Sequence, residues 1–321
     1  LSQDHHDHAE HSVSSDGHSH AHGHAHSHVP ASYGRAFAIG ITLNVIFVVT
    51  EWVFGALSHS LALMADAAHN LGDVLGLLVA WGGMRLAQRL PSERFTYGLR
   101  GSSILAALTN AVVLLLVTGG LAWEAIQRLT DPQPVVGGIV IAVALVGVLI
   151  NSVTAWLFMS GSKHDLNLRG AYLHMAADAA VSLGVAVAGI LVLFTGWLWL
   201  DPLVTLVLVA VIIAGTWGLL RDSLTLALQG VPESIDAAEV RAYLAGLQGV
   251  SEVHDLHIWA MSTTENALTV HLVMPGGHPG DAFLQHAMHD ISHRFGIHHS
   301  TLQVELSDSG QACGLAPDSV V

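Results

Sequence analysis

Six apolar stretches, at about 36–57, 62–86, 103–127, 135–160, 168–194 and 202–227, limit what this chain can become. A helix needs roughly 20 residues to cross the hydrocarbon core of a bilayer. The stretches therefore predict an all-α membrane domain of six transmembrane helices. Composition agrees, with 52% hydrophobic and 11% charged residues, against about 25% charged in soluble domains.

Two of these spans carry the same spacing of ionisable residues. His69 and Asp73 lie in the second, His174 and Asp178 in the fifth, each pair four residues apart and at a similar depth. Residues i and i+4 share one helix face. An ionisable side chain in a membrane span is costly, which makes it a functional-site candidate by default. If the two helices face each other, two imidazoles and two carboxylates converge as a tetrahedral set suited to zinc or cobalt. Two carboxylates offset the charge of a divalent cation. Without metal the same groups accept protons, so metal and protons compete. A third copy of the spacing, His286 and Asp290, falls in a polar segment and reads as a solvated helix face.

Charge is distributed unevenly: the formal total of −14 divides into −4 on residues 1–34, −1 on 35–228 and −9 on 229–321. That balance excludes nucleic acid as a partner and favours cations. Arg35, Arg85, Arg89, Arg94, Arg100, Lys163, Arg169 and Arg221 fall on one side of a six-span arrangement and Arg128 on the other. By the positive-inside rule both termini are then cytoplasmic.

Four regions follow. Residues 1–33 form a polar tail expected to be disordered, with alternating His18, His20, His22, His24, His26 and His28 as candidate metal ligands. Residues 34–228 are the transmembrane domain. Residues 229–306 carry a helix–strand–strand–helix–strand (αββαβ) pattern, a small α+β cytoplasmic domain. Residues 307–321 read as a loose tail. Cys313 is the only cysteine, which excludes an intrachain disulfide and a cysteine-based zinc finger.

Ser60-Leu-Ala-Leu-Met-Ala-Asp-Ala-Ala-His-Asn-Leu-Gly-Asp73 and Asn167-Leu-Arg-Gly-Ala-Tyr-Leu-His-Met-Ala-Ala-Asp178 resemble the second-span and fifth-span signatures of the cation diffusion facilitator family. Phe95-Thr-Tyr-Gly-Leu-Arg100, Asp201-Pro202 and Val253-His-Asp-Leu-His-Ile-Trp259 extend the likeness over about residues 34–306. The resemblance implies a homodimer and a cytoplasmic domain of ferredoxin-like fold. It also implies proton-coupled export of Zn²⁺ by alternating access, with Co²⁺ and Cd²⁺ as further candidates. The transport site maps to His69, Asp73, His174 and Asp178. The likeness is to bacterial members, hence an inner-membrane location. His254, His271 and Glu305 resemble the family's cytoplasmic metal positions, where zinc would also act as a regulator.

Other polar residues stay open to two readings. Glu51 and Asp66 in spans one and two are either a proton or ion path or interhelical hydrogen bonds. His254 and His257, three apart on a predicted strand, are expected on opposite faces. Among competing functions, a membrane metalloenzyme lacks an H-E-x-x-H pair and an open ligand position. A metal sensor or store has only the histidine tail in its favour, and a channel is opposed by tight tetrahedral binding.

Overall fold

The computed structural model describes residues 31–87, 89–159, 166–306 and 313–315. Residues 1–40 and 41–321 form separate compact units, and the sites described below belong to the second. The tail histidines His18 to His28 lie outside the described residues.

Six long helices come first: α1 Ala31–Ser58, α2 Leu61–Ala87, α3 Ser102–Thr130, α4 Gly137–Met159, α5 Leu166–Thr195 and α6 Leu200–Ala227. Among the described residues, α3, α6, Gly137–Leu157 of α4 and Tyr172–Thr195 of α5 are each long and apolar enough to cross a membrane. A shorter apolar stretch, Asn44–Ser58, lies in α1. Leu116, Trp123, Trp156 and Phe194 are each more than 60% exposed. So much apolar surface suits lipid and would be a liability in water.

A two-residue turn separates α1 from α2, with His59 in the left-handed region (φ 56°). The opening N–H groups of α2 have no intrahelical acceptor. They are capped from another helix: the buried Asp201 carboxylate accepts from Leu61 N (2.8 Å) and Ala62 N (3.4 Å), and from Ser60 Oγ. A carboxylate there also suits the positive end of the helix dipole. Pro202 follows in the first turn of α6, where its missing N–H costs nothing. Asp201-Pro202 thus ties α6 to the start of the helix bearing His69.

Close approach positions α5. A Cβ on Gly137 would lie 3.0 Å from the carbonyl oxygen of Gly189, and one on Gly189 would meet Ile141 and Val140 at 3.1 and 3.2 Å. Small residues allow such contact between helices in a bilayer. The bundle core draws Leu63 and Ala65 from α2, Ala125 from α3, Ala144 from α4, Val185 from α5 and Val209 from α6.

The C-terminal domain contains α7 Ala237–Ala245, β1 Glu252–Ala260, β2 Asn266–Val273, α8 Asp281–Phe295 and β3 Ile297–Glu305. This is the expected αββαβ order. The Asp236 carboxylate caps α7 by accepting from Ala238 N and Glu239 N. Gly296 closes α8 in the left-handed region that favours glycine. The sheet runs β1-β2-β3, antiparallel between β1 and β2 and parallel between β2 and β3. Val240, Leu244 and Ile291 from the helices pack with Leu268, Val270 and Leu272 of the central strand, all fully buried. Each such side chain contributes roughly 1.5–3 kcal/mol on leaving water.

Contacts among the described residues join this domain to the helical one. Arg100 pairs with Glu265 (Nη1–Oε2 2.7 Å), Thr263 N donates to Ser103 Oγ (3.1 Å), and the Tyr97 and His299 rings meet edge to face. The Phe95–Arg100 motif thus sits at the joint between domains.

Candidate metal sites

His69 and Asp73 project from α2 toward His174 and Asp178 of α5. His69 Nε2 is 3.2 Å from Asp178 Oδ1 and 4.0 Å from Asp73 Oδ2. His174 Nε2 is 3.2 Å from Asp73 Oδ2 and 3.7 Å from Asp178 Oδ2. The four residues that the spacing singled out therefore form one alternating ring of imidazoles and carboxylates. Ligand atoms of His69, Asp73 and Asp178 all lie within 4.8 Å of one another.

Asymmetry within the ring matters chemically. Asp178 is buried, whereas His174 is 44% exposed and opens the cluster to one side. Asp73 Oδ2 lies near His174 Nε2 yet has no aligned hydrogen bond. A buried carboxylate oxygen without a donor is a poor resting arrangement and a good cation ligand.

One turn toward the start of α2, a second polar layer crosses the bundle. Asp66 accepts from Ser182 Oγ of α5 (3.0 Å), and Glu51 of α1 accepts from Asn70 Nδ2 (2.9 Å). Glu51, Asp66 and Ser182 are all essentially inaccessible to solvent. Both acids therefore make interhelical hydrogen bonds. Glu51 Oε1 and Asp66 Oδ1 have no conventional donor. The two carboxyls neighbour each other, a contact that becomes a hydrogen bond only when one holds a proton.

In the C-terminal domain, His254 of β1 and His271 of β2 are paired across the antiparallel ladder, with ring centroids 5.3 Å apart. Glu305 at the end of β3 reaches both, at 3.4 Å from His254 Nε2 and 2.9 Å from His271 Nδ1. Burial alone would raise the Glu305 pKa; a hydrogen bond from Cys313 and the nearby His254 and His271 outweigh it and hold the carboxyl below its ordinary range.

The strand-face expectation for His257 needs correction. A bulge interrupts β1 between His254 and His257, with Asp255 at φ 50°. His254 and His257 then lie opposite His271 and Thr269, two residues apart on β2, so both fall on the same sheet face. His257 nevertheless turns to Asp255 (2.9 Å) instead of joining the cluster. The sulfur of Cys313, the sole cysteine, lies 3.7 Å from His271 Nδ1 and within the His254, His271 and Glu305 cluster. No spacing rule links a tail cysteine to three strands. His286, 75% exposed and 3.8 Å from Asp290, lies on a solvated face as expected.

The chain matches the family profile of the cation efflux transmembrane domain over residues 37–226 and that of the cation efflux protein cytoplasmic domain over 232–307. It is 34% identical over 264 residues to the cadmium, cobalt and zinc/H(+)-K(+) antiporter of Bacillus subtilis, covering 81% of this chain and 85% of that one. Zinc transporter ZitB of Escherichia coli is 36% identical over 271 residues, covering 84% and 86%. Among solved structures, the metal-bound C-terminal domain of the CzcD transporter from Cupriavidus metallidurans is 37% identical, with a TM-score of 0.21, over 22% of this chain and 100% of that one.

Proposed function

The chain belongs to the cation diffusion facilitator family of cation efflux proteins, and from that we propose that it exports Zn²⁺ through the His69, Asp73, His174 and Asp178 cluster in exchange for protons. It is an integral membrane protein whose relatives are named as transporters of zinc, cadmium and cobalt. The observation that carries the proposal is the convergence of two His/Asp pairs from α2 and α5 within 3.2–4.0 Å.

Two nitrogens and two carboxylate oxygens offer a tetrahedral set for Zn²⁺, with Co²⁺ and Cd²⁺ as further substrates. Two ionised acids neutralise the ion, so the loaded site is tolerable at low dielectric. Metal requires neutral imidazoles and ionised carboxylates, and protons arriving from the far side displace it. The pair Glu51 and Asp66 is read as a holding point for such a proton, one turn from the metal cluster. Alternating access would turn the open His174 side from one face of the membrane to the other.

All six long helices are read as crossing the membrane, with α1 and α2 included. Both termini face the cytoplasm of a bacterial inner membrane. The C-terminal domain, read as ferredoxin-like, would hold a homodimer together. His254, His271 and Glu305 would bind regulatory zinc there, and the His18 to His28 tract would gather metal.

Zinc uptake into inside-out vesicles or proteoliposomes, with and without an imposed proton gradient, tests this reading. Uptake driven by the gradient supports exchange. Uptake indifferent to the gradient would make the protein a uniporter.

A further inference from the structure

We propose that Asn151 of α4 is a positioning residue of the transport cluster: when a cation is bound, its amide N–H donates to the Asp178 oxygen that does not hold the ion. The proposal rests on the reading of His69, Asp73, His174 and Asp178 as a cation site, and it adds a third helix to that site.

The seam between α4 and α5 places Asn151. A Cβ on Gly189 would meet Val140, and one on Gly147 would lie 3.0 Å from Ser182 Oγ. Between these contacts, Ala144 and Val185 are both fully buried in the bundle core. Each step along α4, from Val140 to Ala144 to Gly147, is matched by an equal step back along α5, from Gly189 to Val185 to Ser182. One further turn carries the seam from Gly147 to Asn151 and from Ser182 to Asp178, a rise of about 6 Å on both helices. Asn151 therefore lies level with Asp178, on the face of α4 that packs against α5.

Its amide is buried and short of an acceptor. Asn151 is 3% exposed, and its Nδ2 has no hydrogen-bond partner among the described residues. The rest of α4 carries no Asp, Glu, Lys, Arg or His. A polar side chain that only tied two helices together would hold a partner across the interface, and this nitrogen holds none. Leaving a buried donor unmade is unfavourable, so its retention calls for a state in which the bond forms.

Cation binding creates that state at Asp178. One carboxylate oxygen faces His69 Nε2 at 3.2 Å and the other faces His174 Nε2 at 3.7 Å. A cation takes the lone pair of each ligating imidazole nitrogen, and neither nitrogen can then donate to Asp178. One Asp178 oxygen goes to the ion and the other is left in need of a donor. The side chain is 3% exposed, which makes water a poor source. Carboxylates that ligate metals are themselves hydrogen-bonded, and the Asn151 amide is an unused donor at the right level. Being neutral, it leaves the charge balance of the loaded site unchanged.

His174, 44% exposed, gives a readout confined to this cluster. Full-length protein in detergent is treated with diethyl pyrocarbonate at buffered free Zn²⁺, and carbethoxylation of His174 is followed by peptide mass spectrometry. Zn²⁺ should slow the reaction and Mg²⁺ should not. Asn151→Leu, similar in volume but without a donor, should raise the half-protecting Zn²⁺ concentration roughly 10–100-fold, the range for outer-shell partners. Its rate without Zn²⁺ should match the parent's, because Nδ2 holds no partner there to lose. Asn151→Gln keeps the amide and should recover most of the protection. The proposal is overturned if Asn151→Leu leaves the half-protecting concentration unchanged, if its zinc-free rate shifts as much, or if Asn151→Gln is equally impaired. Absence of Zn²⁺ protection in the parent would overturn the cation-site reading and this proposal together, whereas normal protection in Asn151→Leu would overturn this proposal alone.

Discussion

Asp73 and Asp178 occupy equivalent positions on their helices but differ in environment: Asp178 is buried against His69, while Asp73 keeps an oxygen without an aligned donor. Both are needed to offset a divalent charge. Either Asp73→Asn or Asp178→Asn, in protein lacking residues 1–28, should weaken zinc binding by calorimetry beyond the roughly 10–100-fold typical of outer-shell losses. Glu51→Gln removes one carboxyl of the neighbouring pair without touching a ligand. It should leave zinc affinity within about threefold of the parent while shifting the pH dependence of uptake; an unchanged profile would remove Glu51 from the proton path. Glu305 gives a further pH signature outside the membrane. Its folded pKa is depressed, so its contribution is present above the unfolded value of about 4.3 and is lost as pH falls through the folded value. Metal-free Glu305→Gln should therefore show a shallower acid loss of stability of the C-terminal domain.

Helix α5, which carries His174 and Asp178, packs closely against α4. Gly189→Leu, which would strike Val140 and Ile141, should reduce zinc uptake severalfold by moving α5, although Gly189 lies three turns from Asp178 (about 3.6 residues per turn). In the C-terminal domain, Ile291→Ala empties a fully buried position on α8 and should cost about 2–5 kcal/mol in denaturant unfolding. The helical elements were legible because apolar length and an i, i+4 spacing depend on local geometry alone. The bulge at Asp255 was not, because a strand's register is set by its partner, and one extra residue reverses the expected face. Cys313 was equally hidden: its place beside His271 depends on tertiary contact and not on local spacing.

Across the molecule, the two domains meet through Arg100 and Glu265, each about one-third exposed. Exposed pairs typically contribute 0.2–1 kcal/mol, and a double-mutant cycle on Arg100→Gln and Glu265→Gln should return a coupling in that range. Outside the six apolar stretches the formal charge is acidic, −4 on residues 1–34 and −9 on 229–321, which favours cations near the protein over anions. Zinc export, as proposed, runs through the His69, Asp73, His174 and Asp178 cluster. The direct measurement is zinc uptake into proteoliposomes under a proton gradient by protein lacking residues 1–28, with and without Asp73→Ala. Uptake by the shortened parent and its loss in Asp73→Ala are expected; full uptake in Asp73→Ala would contradict the assignment.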